Sequence, residues 1–288
     1  MNHVTCSVPD QNQGLSGLME RAARDAGAAA MHYFRRGESI HHTIVRDKGE
    51  DNPLGQADLA ANDALSNCLR VACPDYGWLS EETLDDPHRL SCPRVWVVDP
   101  IDGTREFLRG LPQFAVSIGL VEHGLPIAGC IYNPALEEMF LVVPGSEPTL
   151  NGCPVRTTST GQLSGASVLA SHSETDRGEW GEPFCTHFQL TQMGSIAYKL
   201  ALIAAGRFDL SFTLTPKNEW DVCAGVALVQ AGGGLVTSKT GSPLWFNRPE
   251  PSFDAILASN GVLHAELVRY LAPVPLSPGR CAPGRPGH

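Results

Sequence analysis

The stretch Val95-Trp-Val-Val-Asp-Pro-Ile-Asp-Gly-Thr-Arg-Glu-Phe107 constrains this chain more than any other, because an apolar run ends abruptly in two carboxylates, a glycine and a threonine. Val95 to Val98, mostly β-branched, read as a short strand buried on both faces and stopped by Pro100. Asp99 and Asp102 then stand at a strand end. Pro100 fixes one backbone angle, Gly103 permits close approach or positive φ, and Thr104 is placed to cap a helix running through Arg105, Glu106 and Phe107. Asp-Pro and Asp-Gly pairs also form ordinary turns. Against that, carboxylates with an interposed backbone carbonyl suit a hard cation such as Mg2+, and N–H groups at a helix start suit a phosphate.

At 288 residues the chain is long enough for one large domain or two closely packed lobes. Its 21 basic and 31 acidic residues give a formal charge of -10, which disfavours binding to a nucleic-acid polymer. An anionic substrate would therefore need cations or local basic groups. Nine cysteines are scattered without a C-x-x-C pair, a pattern expected of reduced thiols in a cytoplasmic protein rather than of disulfides or zinc. Cys223 reads as a small buried apolar residue. No basic segment followed by an apolar core occurs near the N-terminus, and no run approaches the roughly 20 apolar residues of a membrane span. A cytoplasmic location without a membrane partner is expected.

Residues 1–14 read as a flexible lead-in, followed by an amphipathic helix from Leu15 to Phe34. A short strand at Ile44-Val45 and a polar loop over 46–53 precede a second helix, about Ala57 to Ala72, with Asp58 in its first turn, where its charge favours the helix dipole. Tyr76 to Leu79 is a strand ending at Ser80-Glu81-Glu82. Runs over 114–121, 126–132 and 138–143 form an antiparallel meander, and a lobe boundary falls at 148/149, with a further strand near Thr149 to Val155. The second lobe, 149–272, holds strands at 166–170 and 208–214, a helix over 195–205 and a helix opening at Asn218-Glu-Trp-Asp-Val-Cys-Ala-Gly225. A tail over 273–288, rich in proline and glycine, is expected to be disordered. Neither a dinucleotide fingerprint nor a P-loop is present.

Ser80-Glu81-Glu82, Asp99-Pro-Ile-Asp-Gly-Thr104 and Trp220-Asp-Val-Cys-Ala-Gly225, in this order, resemble the motifs of the inositol monophosphatase superfamily of Mg2+-dependent, Li+-sensitive phosphatases. The resemblance spans roughly residues 15 to 271. It implies an α+β fold, a layered αβαβα sandwich in two lobes with the active site at their junction. It further implies that Glu81, Asp99 and the Ile101 carbonyl hold one Mg2+, and Asp99, Asp102 and Asp221 another, with two or three ions in all. Asp58, Glu81 and Thr104 take catalytic roles, Asp58 supporting Thr104 in orienting the attacking water. Gly103, Thr104, Ser195, Lys199 and Asp221 contact substrate. Ala224 and Gly225 let their helix approach the metal-bearing loop.

Asp-Gly-Thr-Arg-Glu-Phe107 and Tyr198-Lys199-Leu200 are most similar to the CysQ-type 3'(2'),5'-bisphosphate nucleotidases, in which a lysine can serve a phosphate of the nucleotide. A solvated lysine on an outer helix face is the other reading of Lys199. Leu214 stands where inositol monophosphatases proper carry a ring-binding glutamate. Gly55 replaces a threonine and His172 an arginine, departures that open the alternative of a nucleoside monophosphate, inositol phosphate, sugar phosphate or histidinol phosphate. Trp180, Trp245 and Phe246 are candidates to stack on a base, or to pack in the core. An alternative of another class is a non-catalytic, metal-dependent binding protein. A small phosphorylated metabolite is the expected partner, and a homodimer is compatible with the family.

Overall fold

A computed structural model describes residues 11–38 and 53–277. The expected strand at 44–45 and the polar loop after it lie outside the described residues, apart from Pro53. Helix α1 (Gln11–Met31) starts four residues earlier than its apolar stripe suggested, inside the stretch read as a flexible lead-in. Helix α2 (Pro53–Ala72) also starts early, with proline at its first position, where a missing N–H costs nothing. Asp58 therefore lies in the second turn and is buried, so the dipole explanation for it fails.

Strands β1 (Gly77–Ser80), β2 (Arg94–Asp102), β3 (Ala115–Glu122), β4 (Leu125–Asn133), β5 (Glu138–Val142), β6 (Thr149–Leu150) and β7 (Cys153–Pro154) form one sheet in sequence order. Only the β1–β2 pair in it is parallel. The boundary set at 148/149 falls inside this sheet, because β6 and β7 continue it. Between β2 and β3 stands the five-residue helix α3 (Thr104–Leu108).

The second sheet has the order β12-β14-β10-β8-β9 and is built from β8 (Ser167–Ser171), β9 (Gln189–Met193), β10 (Leu210–Thr213), β12 (Leu235–Thr237) and β14 (Ile256–Ser259). A small ribbon pairs β11 (Lys217–Asn218) with β13 (Ser252–Phe253). Helices α4 (His172–Asp176) and α5 (Phe184–His187) lie between β8 and β9 in sequence. Helix α6 (Ile196–Ala204) precedes β10, α7 (Glu219–Ala231) follows β11, and α8 (His264–Leu271) ends the fold.

Strand alternation sorts the cores into layers. Trp96 and Val98 face α1 and α2, whereas Val95 and Val97 face α6 and α7. The other sides of α6 and α7 cover Leu169, Ile256 and Ala258 of the second sheet, and Val168, Phe212 and Leu257 turn outward to α5 and α8. The result is the αβαβα sandwich. Residues 273–277, assigned to a disordered tail, instead lie against it, with the Ser277 N–H donating to the Leu214 carbonyl at 2.9 Å.

Helix α7 lies unusually close to the first sheet. A Cβ on Gly119 would land on the Cys223 side chain, one on Gly129 on the Ala224 backbone, and one on Gly225 on Leu200 of α6. Ala224 and Gly225 thus allow close approach to β3, β4 and α6. Gly129→Ala is expected to cost about 1–3 kcal/mol, since backbone cannot swing aside as a flexible side chain can. Urea unfolding measures it, and a midpoint equal to wild type would contradict this packing.

Candidate active site

The alternation that sends Val95 and Val97 toward α7 sends Asp99 there as well. Asp99 pairs with Ser117 of β3, whose hydroxyl donates to the Trp220 carbonyl at 3.3 Å, so the middle of β2 is tied to the start of α7. Parallel pairing of Ser80 with Val98 brings Glu81 level with Asp99, and the Glu81 N–H donates to Val98 O at 3.4 Å. Pro100 does not stop the strand. β2 runs through Asp102 with a bulge between Asp99 and Asp102, and the Asp99 carboxylate accepts the Ile101 N–H at 3.0 Å.

The residue preceding α3 is Gly103, at φ 97°, and Thr104 is the first helical residue, so the expected threonine cap is absent. That φ favours glycine, and a Cβ there would also meet the Gln113 carbonyl at 2.8 Å. The opposite wall is the start of α6. Ser195 sits at φ 52°, uncommon for a side-chain-bearing residue, and its Oγ accepts the Tyr198 N–H. Asp102 accepts both the Ser195 hydroxyl and the Ala197 N–H at 2.6 Å. Asp221, third residue of α7, accepts the Asn218 N–H at 2.9 Å. Buried Glu219 fixes that helix start by accepting the N–H groups of Asn247 and Arg248.

Burial pushes the Asp99 carboxyl well above its ordinary range, and Glu81, Asp102, Asp221 and Asp58 raise it further by repulsion. Asp221 is raised in the same way by burial, Asp102 and Glu81. For Asp102 burial prevails over the bonds from Ser195 and Ala197 and over the nearby Lys199 and Lys217. Among the described residues no three such groups stand together as a ready chelate. Their mutual repulsion nevertheless shows one shared field of crowded oxygen donors, and hard oxygen donors of one sign fit a divalent cation such as Mg2+.

A cleft of about 170 Å³ opens beside these groups. Asp102, Gly103, Thr104 and Glu106 line it, together with Ser171, Ser173, Ser195 and Lys199 and with Lys217 and Asp221. Lys199 is 2% exposed, which removes the solvated-lysine reading: all nine residues of α6 are buried and the helix has no outer face. Leu214 is not in the cleft but in an outer apolar cavity with Trp180 and Phe212. Trp180 stacks on Phe212 at 4.3 Å, Phe246 packs on Phe253, and Trp245, 57% exposed, does not line the cleft.

Two features escaped the sequence reading. Lys217 sits on β11, just before Trp220-Asp221, and its only sequence signal is a basic residue beside an acidic motif. His172 does not line the cleft: its Nε2 is 2.9 Å from Gln113 Oε1, which also accepts the Gly194 N–H, and its Nδ1 is 3.1 Å from Gln192. The Gly194 N–H fixes which end of the Gln113 amide faces inward, so His172 Nε2 carries a hydrogen. The histidine thus braces the turn that delivers Ser195 to Asp102.

The sequence pattern of the inositol monophosphatase family matches residues 11–275. The Nus factor SuhB of Xylella fastidiosa is 33% identical over 258 residues, covering 86% of this chain and 91% of the relative. The 3'(2'),5'-bisphosphate nucleotidase CysQ of Escherichia coli is 34% identical over 239 residues, covering 80% and 93%. The solved inositol monophosphatase of Anabaena superposes with a TM-score of 0.74 at 29% identity, over 93% of this chain and 98% of that one. A layered α+β fold with these homologues defines a phosphoric monoester hydrolase that depends on a metal ion, typically Mg2+. The chain belongs to the inositol monophosphatase family. Among the described residues no helix is long and apolar enough to cross a membrane.

Proposed function

We propose that this phosphatase acts in the cytoplasm on a small metabolite carrying two phosphates, of the adenosine 3',5'-bisphosphate type. In this reading Glu81, Asp99 and the Ile101 carbonyl hold one Mg2+, and Asp99, Asp102 and Asp221 hold a second. Bound there, Mg2+ supplies neutralisation of the phosphate dianion and acidification of water. Thr104 and Asp58 orient that water, while the N–H groups of Gly103 and Thr104, which have no partner inside their own helix, grip phosphate oxygens. Ser195 holds Asp102 in place and borders the substrate.

The observation that carries the two-phosphate reading is Lys199, a buried ammonium opening on the cleft without a hydrogen bond or ion pair among the described residues. Such a group is costly unless an anion arrives to compensate it. A single-phosphate substrate is favoured by a different observation, the engagement of both His172 ring nitrogens with glutamines, which keeps that side chain out of the cleft where related sequences carry arginine. The test is phosphate release with Mg2+, with and without Li+, from adenosine 3',5'-bisphosphate, nucleoside monophosphates, inositol phosphates, fructose 1,6-bisphosphate and histidinol phosphate. Lys199→Met is expected to lower kcat/KM for the bisphosphate about 10- to 100-fold, a loss of about 1.4–2.7 kcal/mol. Best turnover of a monophosphate, with Lys199→Met indifferent, would overturn the reading.

A further inference from the structure

Lys217 enters the cleft from a different part of the chain than Lys199. Strand β11 is only two residues long, and its pairing with β13 holds Lys217 beside the start of α7. Its Nζ stands 3.9 Å from Oε1 of Glu174, the closest anionic oxygen it is paired with. That carboxylate is already committed, since Oε1 accepts the Thr213 hydroxyl and Oε2 the Trp180 indole N–H. Lys217 therefore leans on a buried carboxylate that two other groups already use, and Lys199 lies in the field of the same carboxylate.

The two lysines oppose each other electrostatically: burial lowers the Lys199 pKa, Glu174 offsets this, Lys217 lowers it again, and Asp102 and Glu106 raise it by less. Two ammonium groups lining one small cleft form a site that an incoming anion can complete. Asp102 and Asp221 line the same cleft, so the ammonium groups and the candidate metal-binding carboxylates stand within one cavity. A substrate with two phosphates, one for each kind of group, matches that lining.

We infer that Lys217 is a specificity-determining residue, which with Lys199 forms a two-ammonium subsite for the second phosphate of the substrate. Glu174 tethers Lys217 while the subsite is empty. This rests on the two-phosphate reading above and adds to it the residue that enforces the preference. Lysine suits the task because its compact charge can swing from the carboxylate to the phosphate without having to match a planar fork.

The experiment compares kcat/KM for adenosine 3',5'-bisphosphate with that for adenosine 3'- and 5'-monophosphate in wild type, Lys217→Met and Lys217→Arg, with thermal melting as a check on folding. The bisphosphate-to-monophosphate ratio is expected to fall about tenfold or more in Lys217→Met, mostly through KM, and to return to within about threefold of wild type in Lys217→Arg. A merely structural role would lower both substrates together and leave the ratio unmoved. If the wild type prefers the bisphosphate and Lys217→Met keeps that preference, the assignment of Lys217 is wrong and the two-phosphate reading stands. If the wild type itself shows no preference, the two-phosphate reading falls, and the assignment with it.

Discussion

Asp99→Asn is expected to reduce kcat by about 10³-fold, near 4 kcal/mol of transition-state stabilisation, while leaving the protein folded. Asp99 is the carboxylate most surrounded by others, 1% exposed and facing Glu81, Asp102, Asp221 and Asp58. Removing its charge withdraws the donor that both metal positions of the proposed site share. The same change relieves repulsion in the metal-free protein, so the variant should melt at a higher temperature than wild type in chelator. Loss of activity together with a lower melting temperature in chelator would indicate collapse of the fold and would not support a metal role. Calorimetric titration with Mg2+ separates the cases, because a shared ligand predicts weakened binding at more than one position.

Metal-free protein is also expected to lose stability as pH rises from about 5.5 to 8.5, by about 5 °C or more in melting temperature, and Mg2+ is expected to reverse the trend. The sign comes from folded-state values raised above unfolded ones. Asp99 and Asp221 are raised by burial first and by neighbouring carboxylates next, and Glu219 is pushed up to about 7 by burial against the N–H groups of Arg248 and Asn247 and the nearby Arg89. Their protonated forms favour the folded state. Stability from them is full below the ordinary carboxylate range, near 4, and is lost as pH climbs through each raised value. Asp209 acts oppositely. Burial would raise it, but hydrogen bonds from Thr158, Thr160 and Ser167 prevail and lower it, so its contribution is lost only as pH falls below about 4. Mg2+ at about 100 times its dissociation constant adds about 2.7 kcal/mol per site, enough to outweigh a few degrees in a chain of this size. Melting curves at both pH values, with chelator and with Mg2+, decide it. A metal-free protein more stable at pH 8.5 would mean that the crowded carboxylates do not govern its pH dependence.

The carboxylate motifs were legible in sequence because they are local: a continuous apolar run places Asp99 and Asp102 at a strand end, and a Trp-Asp pair before a helical run places Asp221 in its first turn. The layered fold was legible by resemblance through the same strings. Local rules failed where the backbone took a form that composition does not announce. Pro100 is accommodated within a bulge instead of ending β2, and Gly103, at positive φ, stands before the helix in place of the threonine expected to cap it. Both α1 and α2 start earlier than expected, and the early start of α2 moved Asp58 out of the first turn, because a helix can continue wherever packing covers it.

The sequence alone therefore determined the chemistry available at the site, carboxylates beside a helix start, since residue type and spacing within a few positions settle it. Only the tertiary structure decided which basic groups face that chemistry. Lys199 reads equally well as surface or site until α6 is seen enclosed on every side between two sheets. Lys217, eighteen residues further on, reaches the same cleft because β11 is pinned to β13, and His172 is drawn away from it by Gln113 and Gln192. Those outcomes depend on pairings between distant segments, and a side chain's partners across such distances are set by packing, which no local pattern encodes.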